Sequence, residues 1–203
     1  SVPGDLLALM FKALQEKDAF VLRYLMDDFE VKAAVANADK KRKGLENQKK
    51  LLADLDKDRA RIICGTETPY QASDGSRWLP DQVHNASGSY GNQGATYVER
   101  GDLEIEGTDI DRVYQTEAYG SRVIYRVPLP KGYYNVYLHF AETFVNNQSP
   151  DIRRIGVQVE TKVHPEKIDP FKLANGWGKA YVLKMKDIPA FDGELDIELT
   201  GGV

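Results

Sequence analysis

One cysteine, Cys64, is present in 203 residues, so no disulfide can close within the chain and nothing in its covalent chemistry demands an oxidising compartment. No apolar run approaches the ~20 residues that carry a helix across a bilayer. The histidines, His84, His139 and His164, are scattered without the spacing of a metal site. His139 and Glu142, three apart on one strand, would point to opposite faces. No phosphate loop, dinucleotide fingerprint or Ser/His/Asp order is present, so no cofactor and no catalytic residue is assigned. An excess of positive charge is missing too. The net charge of −4 gives no face that must attract nucleic acid. The chain begins SVPGDLL, with neither an initiator Met nor a basic leader. That reads as a piece of something longer without a visible signal peptide, which favours the cytoplasm; a true lectin would place it outside the cytoplasm or in the ER lumen.

Glycine and proline are scarce in one part only. Of 17 glycines, Gly4 and Gly44 alone precede residue 60, and of 9 prolines only Pro3 does. A stretch so poor in breakers is expected to be helical. Leu7, Met10, Phe11 and Leu14 follow helical spacing, and Leu22, Leu25, Met26, Phe29, Ala33 and Ala36 continue it. Residues 1–60 are therefore read as an α-helical extension, either a hairpin returning at Gly44 or the end of a coiled-coil stalk. Its apolar stripe could support self-association or a protein partner. The basic run Lys40-Lys41-Arg42-Lys43 is read as a solvated helix face or loop.

Residues 61–203 are read as mainly β. Val123, Tyr125 and Val127 share one face of a run, and Tyr134, Val136, Leu138 and Phe140 share one face of the next. The PLPKG segment between them suggests an antiparallel hairpin with one buried face. Ile155, Val157 and Val159 alternate in the same way, as do Tyr181, Leu183 and Met185, and Leu195, Ile197 and Leu199. Short, regularly spaced strands favour a sandwich over an α/β sheet. Ser73 to Gly107 is expected to be mostly loop, and such a long loop in a compact domain is commonly functional or mobile. If the two central runs are antiparallel, YQTEAYG and AETF meet at one rim of the domain, opposite the PLPKG turn.

The motifs YQTEAYGS and YRVPLPKGYYNVYLHFAE resemble the signature of the malectin family of carbohydrate-binding modules. Arg61-Ile62-Ile63-Cys64-Gly65 is similar to the family's opening R-(I/V)-N-C-G, and Asp74-Gly75 with Trp78-Leu79-Pro80-Asp81-Gln82 fits a variant of it. The resemblance implies a malectin-like antiparallel β-sandwich of jelly-roll type from about Arg61 onward. It also implies non-catalytic binding of a short glucose-type oligosaccharide. The family's second tyrosine falls on Tyr119, and its aromatic pair falls on Phe144 and Val145, where the second ring is absent. Its loop tyrosine is Tyr90 or Tyr97, and its late aspartate would fall just past Val203. Malectin-like domains also occur in intracellular multidomain proteins, including kinesin-type motors, so a scaffold module that has lost sugar binding is the alternative.

The residues themselves fit sugar chemistry. Flat rings cover the C–H face of a pyranose, and carboxylates take its hydroxyls. The ligand-binding candidates are Tyr119, Phe144, Glu117, Glu142, Tyr90 and Tyr97. Glu117 and Glu142 could also be read as a glycosidase pair, a reading set aside because the family is non-catalytic. Tyr114, Trp78 and Trp177 are read as packing residues, and Cys64 as a small buried hydrophobe.

Overall fold

The computed structural model describes residues 59–85 and 89–201, together with Asn37, Ala38, Asp39, Arg42, Lys43 and Glu46. The chain divides into two units, Ser1–Glu46 and Asn47–Val203. In the first, the six described residues are helical and exposed. There Arg42 pairs with Asp39 at 2.9 Å and Glu46 at 3.0 Å, the i,i+3 and i,i+4 neighbours of a helix surface. The apolar stripes, the turn at Gly44 and the stalk, self-association and motor readings that depend on them lie outside the described residues.

The second unit is mainly β. Its strands are β1 (Ile62–Ile63), β2 (Tyr70–Gln71), β3 (Arg77–Pro80), β4 (Gly91–Gln93), β5 (Thr96–Glu99) and β6 (Thr116–Tyr119). They continue with β7 (Arg122–Pro128), β8 (Gly132–Ala141), β9 (Gly156–Val159), β10 (Lys162–Val163), β11 (Ala180–Ala190) and β12 (Glu194–Thr200). A short helix α1, Pro170–Ala174, is capped by Asp169, whose side chain accepts from Lys172 N at 3.1 Å.

Alternation decides the core. The inward residues of β7, β9 and β12 are the expected ones, and Val123, Tyr125, Val157, Val159, Leu195 and Ile197 are all buried. They lie on one five-stranded sheet ordered β10-β9-β12-β7-β4. Val136 of β8 and Leu183 and Met185 of β11 belong to the same buried cluster, with Tyr134, Leu138 and Phe140 packed against it. The two-stranded β8–β11 sheet therefore faces the five-stranded one across a common core. A second cluster of Ile63, Trp78, Ile105, Val113 and Tyr114 packs against Ala141 and Ala180, at the far ends of β8 and β11. Trp78 is buried there with Nε1 donating to Ser76 Oγ at 3.1 Å. Tyr114 and Trp78 are core residues.

Two expectations are corrected. β7 and β8 are not a hairpin: β7 pairs with β12 and β4, whereas β8 pairs with β11. Both edges of β7 are occupied, so the PLPKG turn carries the chain from one sheet to the other. Alternation reports which face is buried and says nothing about which strand lies alongside. The fold is also not wholly antiparallel, because β1 runs parallel to β3. The stretch from Ser73 to Gly107 is mostly loop among its described residues, as expected. It holds β3, β4 and β5, strands of three or four residues, too short and glycine-flanked to show a period.

Candidate functional site

The rim is built where β6 passes the turn after β1. Gly65 has φ +82°, and a Cβ there would lie 2.2 Å from the carbonyl oxygen of Glu117. Only glycine lets the two backbones come this close, so Gly65 fixes the height of β6 on the domain. β6 pairs with β5, setting Glu117 opposite Val98 and Tyr119 opposite Thr96. Directly opposed residues share a face, so Glu117 and Tyr119 lie on one side of this ribbon and Tyr97 and Ala118 on the other.

The segment after β8 meets β6, as expected, although the two central runs lie in different sheets. Thr143 Oγ1 donates to Glu117 Oε2 at 3.1 Å, and Arg100 forms an ion pair with Glu117 Oε1. The same guanidinium lies over the Phe144 ring, 5.5 Å from its centroid. Phe144 is fixed from behind as well. Its N–H donates to Glu142 Oε1 at 3.0 Å, and its carbonyl accepts from Asn147 N at 2.9 Å and Trp177 Nε1 at 3.2 Å. Glu142 is 2% exposed and bound to Arg153 Nε at 2.7 Å. The backbone oxygen of Glu142 accepts from Gly178 N at 2.9 Å, tying the rim to the chain entering β11. Tyr119 at 39% exposure and Phe144 at 37% present their rings outward, beside Val145 at 63%. Both carboxylates are thus engaged by arginines, and the outward surface combines aromatic and aliphatic side chains with the partly exposed Arg100–Glu117 pair.

With this geometry in view, the family comparison is decisive. The profile of the Malectin domain matches residues 59–202. The chain belongs to the malectin domain family. A Bacteroides uniformis beta-glucuronidase is similar in structure, with a TM-score of 0.59 and 25% identity over 70% of this chain and 16% of that one. The ANXUR2 extracellular domain from Arabidopsis thaliana matches with a TM-score of 0.58 and 13% identity, over 70% of this chain and 43% of that one. The ANXUR1 extracellular domain from the same plant gives a TM-score of 0.56 at 13% identity, covering 70% and 42% of the two chains. This chain thus spans a small part of the first and less than half of the others. No curated protein matches it.

The remaining candidates of this malectin domain lie away from the Phe144 surface. Tyr90 packs against the main core and donates its hydroxyl to Pro80 O at 2.9 Å. Tyr97 faces inward from β5, where its hydroxyl accepts from Asn92 Nδ2 at 2.7 Å. Asn92 leads to Asp81, 1% exposed, which accepts from Gly65 N, Gln82 N, Asn92 Nδ2 and the Tyr125 hydroxyl at 2.6–2.9 Å. Burial and the Asp81 charge push the Cys64 thiol up to about 12 and the Tyr97 phenol likewise to about 12. Cys64 is therefore a neutral thiol at any physiological pH. His139 Nδ1 lies 2.8 Å from the Tyr114 hydroxyl and its ring meets Trp78 edge-on, and burial lowers its pKa.

Sequence reasoning missed three contributors. Arg100 and Arg153 lie outside every motif, and Trp177 was read as packing alone, whereas its indole N–H holds the rim at Phe144. Nothing local in the sequence marks any of the three. Their roles exist only once β5, β8 and the entry to β11 converge.

Proposed function

We propose that this malectin domain is a non-catalytic binding module that takes a short, neutral, glucose-type oligosaccharide at the rim around Phe144 and Tyr119. One observation carries the reading. The Phe144 ring is exposed while its backbone is held at both N–H and C=O, so a flat apolar surface is presented with little motion left to lose on binding. Glu117 and Glu142 each carry an arginine, which suits a neutral ligand and leaves neither free to act as a glycosidase acid or nucleophile. The experiment is an NMR titration of maltose and nigerose into the wild type, Phe144→Ala and Tyr119→Ala. Saturable shifts at the rim that weaken about tenfold on losing one ring support the reading, that loss being equivalent to ~1.4 kcal/mol. Absence of shifts at roughly 50 mM sugar defeats it, since a ligand of millimolar affinity would be bound at that concentration.

A specific observation favours a second reading, a protein-interaction module. Val145, Ile152 and Leu173 are exposed aliphatic side chains, and aliphatic surface is better matched by an apolar peptide than by sugar hydroxyls. A wild type silent to both sugars would make this the leading reading.

A further inference from the structure

Phe144 owes its place to a carboxylate that cannot stand alone. Glu142 is 2% exposed, and a charge at that depth requires a partner. Arg153 supplies it, with Nε 2.7 Å from Oε2 and a second nitrogen 3.5 Å from Oε1. Oε1 is also the acceptor of the Phe144 amide. One guanidinium therefore orients both oxygens, one of which fixes the backbone of the exposed ring. Arg153 itself keeps 19% of its side chain exposed, and its contact with Glu142 links it to the Phe144 backbone.

We propose that Arg153 is the positioning residue of the rim: it neutralises and aims Glu142, Glu142 holds the Phe144 amide, and the ring is thereby preset for a ligand. The consequence for affinity rests on the ligand reading above, whereas the positioning itself can be read without any ligand. Without Arg153 the carboxylate loses the cation that aims it and turns toward water, and the Phe144 N–H loses its charged acceptor. A charge-assisted bond is about twice as strong as a neutral one, so the amide should register the loss clearly.

The test uses the whole chain, labelled with nitrogen-15, as wild type and Arg153→Ala, with Arg122→Ala as a control that breaks an exposed ion pair between β7 and β12. In a folded Arg153→Ala the Phe144 amide resonance is expected to move upfield and its hydrogen exchange to accelerate by tenfold or more. Maltose affinity falls about tenfold. Arg122→Ala changes neither quantity. A folded Arg153→Ala with a wild-type Phe144 amide overturns the proposal. Should that variant fail to fold, Glu142→Gln replaces it, because it buries no uncompensated carboxylate. Its single carboxamide oxygen is claimed by the charged Arg153, so the Phe144 amide again exchanges faster; wild-type exchange in a folded Glu142→Gln overturns the proposal equally. The two readings fail separately. A wild type that binds no sugar, with a Phe144 amide that still responds to Arg153, removes the ligand and leaves the positioning. A wild type that binds, with an Arg153→Ala unchanged in amide and affinity, removes the positioning and leaves the ligand.

Discussion

Asp81 and Glu142 are both carboxylates with almost no exposed surface, and the fold satisfies them in opposite ways. Asp81 sits inside, between the turn after β1 and the inner face of β7, and receives four donors, none of them charged. Glu142 sits beneath the rim and is matched by a cation, Arg153. Four neutral donors from four separate places in the chain act as a knot. They bind Gly65, Gln82, Asn92 and Tyr125 to one point, and no single rearrangement releases it. Glu142 has neutral donors too, the Phe144 N–H and Asn147 Nδ2, but its charge is balanced by one partly exposed cation, and that pair can be opened from outside. The first arrangement suits a part of the molecule that must never move, and the second suits a surface whose geometry can be adjusted.

The comparison breaks most severely at Asp81. Asp81→Ala takes the acceptor from the buried Gly65 N–H and Tyr125 hydroxyl and from the half-buried Gln82 N–H, while Asn92 Nδ2 keeps the Tyr97 hydroxyl and Gln82 O. At about 1–3 kcal/mol for each orphan, the loss is a large share of the stability of a domain of this size. The expected outcome is loss of the cooperative near-UV circular dichroism melt. A cooperative melt in that variant would show that water replaces the carboxylate and that the knot is not essential.

Next in size is Glu142→Ala, expected to destabilise by about 3 kcal/mol in urea titration, the lower end of the range for breaking a buried pair. The stranded Arg153 keeps some exposure and can turn its guanidinium toward water, which limits the cost. A loss equal to that of Asp81→Ala would erase the distinction drawn between the two carboxylates.

The same contrast explains what could be read from the sequence. Faces were legible, because alternation is local: Val123, Tyr125 and Val127, or Leu195, Ile197 and Leu199, declare their burial within a few residues. Strand partners were not, since the backbone groups that pair are the same at every position; hence β7 was assigned to β8 when it lies between β12 and β4. The motif that contains Asp81 was visible as a resemblance, while its reason, four donors from scattered segments, needs the folded chain. Phe144 and Tyr119 were likewise reachable through resemblance. Arg100, Arg153 and Trp177 were not, as each acts on the rim through a contact 11 to 33 residues away or through space alone.

A smaller effect, of opposite sign, is expected from carboxylates that burial penalises and no short ion pair offsets. Burial raises the pKa of Glu160, Glu194 and Asp196, and the neighbouring Asp192 adds repulsion at each, while Arg126 opposes the rise at Glu194 and Asp196. A carboxyl whose folded pKa exceeds its unfolded one is penalised while ionised. The penalty is present at neutral pH and fades as pH falls through the raised value. Asp196→Asn should therefore raise the melting temperature at pH 7, and the gain should shrink on acidification through that value. A gain that persists undiminished at low pH would trace it to packing instead of charge.

The smallest effect belongs to the ion pair most visible on the surface. Arg122 donates to both oxygens of Glu198 across β7 and β12, at 2.7 and 2.9 Å, and the hydrogen bond from Arg122 holds the Glu198 carboxyl below its usual pKa. A carboxyl with a depressed folded pKa contributes stability above its unfolded value and loses that contribution as pH falls through the folded one. The sign is thus opposite to that of Asp196. Its size is small, because the pair is exposed and solvent screens it. Arg122→Ala should leave the urea midpoint at pH 7 almost unchanged in 1 M salt and only slightly lowered in dilute buffer, with the small difference shrinking as pH falls through the lowered Glu198 value. A large, salt-independent loss would mean that the guanidinium does more than pair with Glu198. It would then place an exposed contact in the same class as Glu142, and burial would no longer be what separates the carboxylates of this domain.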